Sequence, residues 1–221
     1  NNYIIMTNIN LEKMNLNVFD NLRTGDLILF STNEGIIDSL LKYFTNSIYT
    51  HVGFVVKETE IGCQKLDPNI TYLWESGYET FPDSLDRKIK FGVRFTNLKE
   101  LITGFKGNLY VRKLDCSNLE SKRIFNTKIL EGLHSRVYGK PYDYNLIDWL
   151  ACYKRYDFKP QKIDRFWCSA FVSYIYTTCG ILDPKTDWSI ARPSDFSKED
   201  KDSHLEYNSN IRLENKQYLL F

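Results

Sequence analysis

Two short segments decide the fold of this chain: residues 50–56, with the sequence THVGFVV, and residues 167–174, with the sequence WCSAFVSY. The first segment is apolar and β-branched after its histidine, which predicts a buried strand that begins at His51. The second is apolar after its cysteine, which predicts a helix that begins near Cys168. A cysteine at a helix N-terminus gains thiolate stabilisation from backbone N–H groups and from a nearby imidazolium. We therefore expect Cys168 to be a nucleophile and His51 its general base.

Length and composition predict one domain. The chain has 221 residues, and no stretch rich in Pro, Ser or Gly divides it. We expect a single domain over residues 1–221, with its core at about 22–196, a polar leader and a polar C-terminal tail. The leader lacks the apolar run and the small-residue cleavage site of a secretion signal, so we expect none.

The balanced charge and the short apolar runs of the chain limit the kinds of partner that it is expected to bind. The chain carries 29 Lys and Arg against 28 Asp and Glu, without a basic run between aromatics, so we expect no nucleic-acid binding. Its longest apolar runs are far shorter than the ~18 residues that span a bilayer, so we expect no membrane span. Contact with a membrane surface stays open as an alternative.

The cysteines indicate a reducing compartment. Five of them occur, an odd number, and none forms a CxxC pair. This pattern favours neither a disulfide framework nor a zinc site, and we expect no metal and no cofactor. A cytoplasmic location fits best, because it would keep a reactive thiol free; a viral origin or a host-cell cytoplasm is one setting that satisfies it.

The two halves of the chain differ in pattern. The first half predicts strands at residues 27–30, 51–57, 71–78 and 107–114, with an amphipathic helix at 35–44. The strands at 51–57 and 71–78 are expected to be antiparallel neighbours. The second half predicts helices at 125–138, 146–153 and 164–179, with Asp164 as N-cap of the last, and an edge strand at 217–221. Strands first and helices later predict an α+β fold.

A third polar group is expected to orient the histidine. Glu75 is the best candidate, because a carboxylate inside an aromatic strand is unusual unless it is paired. If that strand lies beside the His51 strand, the two side chains can share a face. Glu79 and Asp26 remain rivals for this role. The other two histidines, His134 and His204, have polar neighbours and are expected at the surface.

The residues next to the cysteine suit an acyl substrate. Ser169 and Ala170 are small and leave room for a carbonyl group, and the backbone N–H of Cys168 can donate to an oxyanion. The competing interpretation is a buried core cysteine in an apolar helix.

These motifs resemble a known family. The segment 168–172, CSAFV, is similar to the nucleophile motif of NlpC-like proteins in the papain-fold superfamily, and residues 25–28, GDLI, resemble their Gly-Asp strand. Histidine precedes cysteine here, as in the circularly permuted branch that includes YiiX-like bacterial proteins, poxviral relatives and lecithin:retinol acyltransferase. The resemblance covers about residues 22–196. Ala170 departs from it, because many YiiX-like members have glutamate at this position.

The resemblance implies a fold, a site and a chemistry. It implies a permuted papain-like domain in which an antiparallel sheet packs against helices, with the nucleophile at a helix N-terminus. It assigns nucleophile, base and third polar residue to Cys168, His51 and Glu75. It also implies that Tyr142 and Asp143 line the pocket, where an ordinary Pro-Tyr turn is the competing interpretation; Ser169 completes the expected substrate-binding set.

Three functions remain open at this point. The first is a cysteine hydrolase that forms an acyl-enzyme on a small peptide or an acylated lipid. The second is a lipid acyltransferase or phospholipase of the lecithin:retinol acyltransferase type. The third is a non-catalytic interaction protein that retains the fold.

Overall fold

The computed structural model describes residues 12–13, 21–32, 42, 47–57, 61–62, 65–77, 81–145, 148, 152–156, 162–208 and 211–220. Most of the predicted helices at 35–44 and 146–153 falls outside these ranges, as does Glu79, the rival of Glu75.

The longer strands are buried along nearly their whole length, as expected of a sheet covered on both faces. The strand bounds are β1 Glu12–Lys13, β2 Leu27–Ser31, β3 His51–Lys57, β4 Thr71–Gly77, β5 Gly92–Asn97, β6 Asn108–Arg112, β7 Leu114–Asp115, β8 Arg212–Leu213 and β9 Tyr218–Leu219. Within the described ranges, seven of them form one sheet in the order β1-β9-β6-β2-β3-β4-β5. Neighbours are antiparallel except β1 and β9, which run parallel. The expected pairing of the His51 strand with the next one is confirmed.

Four helices have their limits within the described part of the chain: α1 Leu98–Gly104, α2 Asn118–Ile124, α3 Thr127–Val137 and α4 Cys168–Thr178. Asn97, Ser117 and Asn126 cap the first three, each accepting from backbone N–H groups of the first turn. Helix α4 starts after Trp167 without a side-chain cap, so the predicted N-cap at Asp164 was wrong. The helix ends before Gly180, whose φ of +74° suits a glycine.

Helices cover both faces of the sheet. On one face, Phe54 and Trp74 belong to a cluster with Leu130 of α3 and Phe171 of α4. On the other face, residues of β2, β3 and β4 cluster with α1; they are Ile28, Val55, Leu73, Leu98 and Leu101. The molecule is therefore α+β, with an antiparallel sheet packed against helices, as the order of elements predicted.

Two strands differ from expectation. Strand β9 forms within the segment predicted as an edge strand, but β1 pairs with it on its outer side, so β9 is not the edge. Strand β5, which was not predicted, pairs with β4 along its length and places Arg94 directly opposite Glu75. This pairing matters most for the site.

Candidate active site

Strand pairing brings His51 and Glu75 to the same face of the sheet. The register of β3 and β4 pairs Val55 with Leu73, and His51 and Glu75 lie an even number of residues from that pair. The imidazole Nε2 of His51 lies 2.7 Å from Oε2 of Glu75. His51 is 6% exposed and Glu75 is fully buried, so water does not screen this contact.

Helix α4 brings Cys168 to the other side of the same imidazole. The Cys168 side chain is hydrogen-bonded to His51. Since Glu75 contacts Nε2, we infer that the thiol contacts the other ring nitrogen, Nδ1. Cys168 is the first residue of α4, and the N-cap residue Trp167 places no side-chain acceptor on the first-turn N–H groups. The positive end of the helix dipole therefore faces the thiol and any oxyanion formed beside it.

The surroundings of His51 and Glu75 favour the charged form of each side chain. Burial lowers the pKa of His51, but the charge of a Cys168 thiolate, its hydrogen bond and Glu75 outweigh burial and raise that pKa to about 10. Burial raises the pKa of Glu75, but the charge of Arg94 and hydrogen bonds from His51 and Thr96 outweigh it and lower that pKa to about 2. The site therefore favours a protonated imidazole beside an ionised Glu75 carboxylate.

Arg94 and Thr96 complete the surroundings of Glu75 and were missed in the sequence. Thr96 Oγ1 donates to Oε1 of Glu75 at 2.6 Å, and Nε of Arg94 donates to the same oxygen at 3.2 Å. The alternation in residues 92–97, GVRFTN, could have revealed them, because Val93 and Phe95 face the opposite side of a predictable strand. An arginine that alternates with apolar residues along a strand is expected to face solvent, unless its acidic partner is known.

The predicted pocket residues Tyr142 and Asp143 lie in a segment joined to the start of α4. Tyr142 forms a parallel bridge with Phe166, and the N–H of Asp143 donates to the Phe166 carbonyl at 3.1 Å. Both residues are buried, and burial raises the pKa of Asp143. The segment that carries Tyr142 and Asp143 therefore pairs with Phe166, which lies two residues before Cys168.

Ser169, also predicted to bind substrate, faces a different neighbour. It is buried, and its hydroxyl donates to the carbonyl of Ala191 at 2.7 Å. The indole N–H of Trp167 donates to the same carbonyl at 3.1 Å. These two bonds attach the first turn of α4 to the loop that carries Ala191.

The remaining candidates lie in structural positions. Asp26 is buried and accepts from the N–H groups of Arg23 and Leu114 at 2.9 Å and 3.0 Å, so it organises a turn away from His51. The prediction that His134 is a surface residue was wrong, because its ring lies 4.7 Å from that of Tyr138 and contacts other aromatics. His204 is likewise only partly exposed, with Nδ1 3.4 Å from Asp195.

Two absences apply to the described part of the chain. There, no group of three or more His, Cys, Asp or Glu side chains is arranged to hold a metal ion. Over the same residues, no helix combines the length and the apolar character needed to cross a bilayer.

By fold and site, then, the chain is an α+β protein with a buried Cys-His-Glu cluster at the start of a helix. It is similar to a crystal structure of the metalloprotein YiiX from Escherichia coli O157:H7, with a TM-score of 0.47 and 18% identity over 89% of this chain and 98% of that one. No protein-family model and no characterised sequence matches the chain.

Proposed function

We propose that this protein is a thiol hydrolase that cleaves an amide or ester bond through Cys168, His51 and Glu75. The observation that carries the proposal is the unbroken hydrogen-bonded series from the Cys168 thiol through the imidazole to the Glu75 carboxylate. A nucleophile, a base and an orienting carboxylate are the parts that acyl transfer through a covalent intermediate requires. The finer proposal for the fold is a circularly permuted papain-like domain, supported by a histidine strand that precedes the cysteine helix.

The proposed reaction forms and then hydrolyses a thioester. His51 takes the thiol proton, the Cys168 sulfur attacks the carbonyl carbon, and the oxyanion is held by first-turn N–H groups of α4. The bond to the leaving amine or alcohol breaks, and that group takes the proton from His51. Water then gives a proton to His51 while its oxygen attacks the thioester. The thiolate leaves, and the acid product is released.

Activity assays with matched cysteine variants test this proposal. We expect Cys168→Ala to lower the turnover of a peptide amide or an acyl ester by at least about a thousandfold. Cys179→Ala should retain wild-type turnover, because burial raises the pKa of that thiol to about 12 and no role is assigned to it. Turnover that survives in Cys168→Ala would show that another group carries the chemistry.

An acylated lipid is the second candidate substrate, and one observation favours it. Ile89, Phe91 and Tyr144 are 60%, 55% and 51% exposed. The Tyr142 N–H donates to the Phe91 carbonyl at 3.0 Å, so Phe91 adjoins the segment joined to the start of α4, and Tyr144 follows in that segment. Exposed large apolar groups next to a segment that pairs with the residue two positions before Cys168 suit an acyl chain or a membrane surface.

Product analysis separates the substrates and the acceptors. Purified protein is offered a phospholipid ester, a matched peptide amide and a competing amine acceptor. Free fatty acid indicates a lipid hydrolase, and acylated amine indicates a transferase. Cleavage of the peptide alone would remove the lipid candidate. Failure of all substrates, with an unreactive Cys168, would favour a non-catalytic interaction protein.

A further inference from the structure

The carboxylate of Glu75 is held on three sides by buried groups. His51 contacts its Oε2 at 2.7 Å, and Thr96 and Arg94 donate to its Oε1 at 2.6 Å and 3.2 Å. Arg94 also donates from Nη1 to the backbone carbonyl of Lys90 at 2.8 Å, which fixes the guanidinium in place. Glu75 and Arg94 are fully buried, and Thr96 is 1% exposed.

A buried arginine needs a reason beyond stability. Removing a guanidinium from water costs several kcal/mol, and replacing a buried ion pair by apolar residues is often neutral or stabilising. Without Arg94, burial would favour the protonated form of Glu75. A protonated carboxyl would keep its proton and donate a hydrogen bond to Nε2 of His51, and the neutral imidazole would then carry its own proton on Nδ1, facing the thiol. In that tautomer His51 cannot accept the thiol proton of Cys168.

We propose that Arg94 and Thr96 are positioning residues that keep Glu75 ionised and so hold His51 in the tautomer that activates Cys168. The inference rests on the proposed function for its catalytic meaning, since neither side chain contacts the thiol in the hydrogen bonds described. The groups facing this unit are His51 from β3, Arg94 and Thr96 from β5, and Cys168 from α4 on the far side of the imidazole.

The first test is the pH profile of kcat and KM in Arg94→Met, Arg94→Lys and Thr96→Val. Loss of the guanidinium should move the acid limb of kcat upward by at least one pH unit, which is a tenfold loss on that limb, while KM stays near the wild-type value. Arg94→Lys should restore part of the shift, because it keeps a positive charge. Thr96→Val should give a smaller upward shift, because it removes a hydrogen bond and no charge.

Arg112 supplies a matched control. It is also a buried arginine, but it donates to backbone carbonyls of Phe196, Glu214 and Lys216. Arg112→Met should therefore lower the free energy of unfolding without moving the acid limb. An equal shift in Arg112→Met, or an unmoved acid limb in Arg94→Met and Thr96→Val, would overturn the inference. If Arg94→Met does not fold, the Lys and Val variants decide.

A second readout does not depend on turnover. In a Cys168→Ala background, the titration midpoint of His51 is followed by NMR of its carbon-bound ring protons. We expect this midpoint to fall by at least one pH unit when Arg94→Met is added, because the orienting carboxylate loses its charge. A lowered midpoint, together with no hydrolase activity in the wild-type protein, would preserve the positioning role and reject the proposed function. An unchanged midpoint, together with hydrolase activity in the wild-type protein, would reject the positioning role and preserve the proposed function.

Discussion

At the scale of single residues, Glu75 is the group on which the site depends. Glu75→Gln keeps the shape of the side chain but removes the carboxylate that pairs with the buried Arg94. Breaking a buried ion pair in this way costs about 3–5 kcal/mol. We therefore expect the free energy of unfolding, measured by urea denaturation, to fall by about 3 kcal/mol. A decrease below about 1 kcal/mol would show that the pair contributes little.

The same substitution has a predicted effect on the pH profile. With its pKa raised to about 10, His51 keeps the proton that it takes from Cys168 in the proposed reaction through neutral pH, and can pass that proton to the leaving group. The stabilisation from this raised pKa is complete below the unfolded value of about 6.5 and is lost as pH rises through about 10. We expect the alkaline limb of kcat/KM near pH 10 in the wild type and lower in Glu75→Gln, which lacks the carboxylate charge. Coincident alkaline limbs would contradict this assignment.

The sequence predicted three site residues because their types are scarce or misplaced. Few histidines occur, and only His51 precedes an apolar strand. Glu75 stood out as a carboxylate among aromatics, and Cys168 as a cysteine before small residues. Arg94 and Thr96 were not predicted, because their role depends on which strand lies beside β4. Local periodicity predicts a strand but does not show which other strand pairs with it.

At the scale of elements, Gly92 controls the contact between β5 and the Tyr142 segment. Its φ is +143°, and an added Cβ would lie 2.1 Å from the Lys140 carbonyl oxygen, a backbone atom that cannot move aside alone. Gly92→Ala should lower the free energy of unfolding by about 1–3 kcal/mol and lower kcat by displacing Tyr142. Thermal unfolding and turnover measure the two effects.

Gly132 provides the opposite case for comparison. It lies inside α3, and an added Cβ would meet nothing within 4 Å. Gly132→Ala should therefore stabilise the protein by about 0.5–1 kcal/mol, because alanine has the higher helix propensity. Gly92→Ala as stable and active as wild type would contradict the close contact described at β5.

Helix α3 also carries a pH-dependent contact. Burial lowers the pKa of His134, while Asp83 raises it and Lys90 lowers it further. The unfolded chain then binds more protons than the folded chain just below the unfolded value of about 6.5, so stability should rise with pH in that window. His134→Phe should flatten this rise relative to wild type, whereas Ser135→Ala, an exposed neighbour, should not. Equal slopes in urea denaturation series from pH 5 to pH 7 would reject the contribution of His134.

At the scale of the whole molecule, the order of elements predicted the α+β class because strand and helix periodicities differ. The limits of β3 and β4 followed closely from their apolar and aromatic runs and from the polar connection between them. The start of α4 did not follow from capping rules, since the helix begins at Cys168 without a side-chain cap. A helix start that leaves its N–H groups uncapped is a local departure from stability rules, of the kind expected where a ligand is to be held.

The central claim is that Cys168 and His51 act as one ionised pair, and mass-mapped alkylation tests it most directly. Wild-type protein and His51→Gln are treated with limiting iodoacetamide at neutral pH, and the modified cysteines are identified and timed. The account predicts that Cys168 is modified first in the wild type and at least tenfold more slowly in His51→Gln. Modification of other cysteines before Cys168, or a Cys168 rate unaffected by the loss of His51, would contradict it.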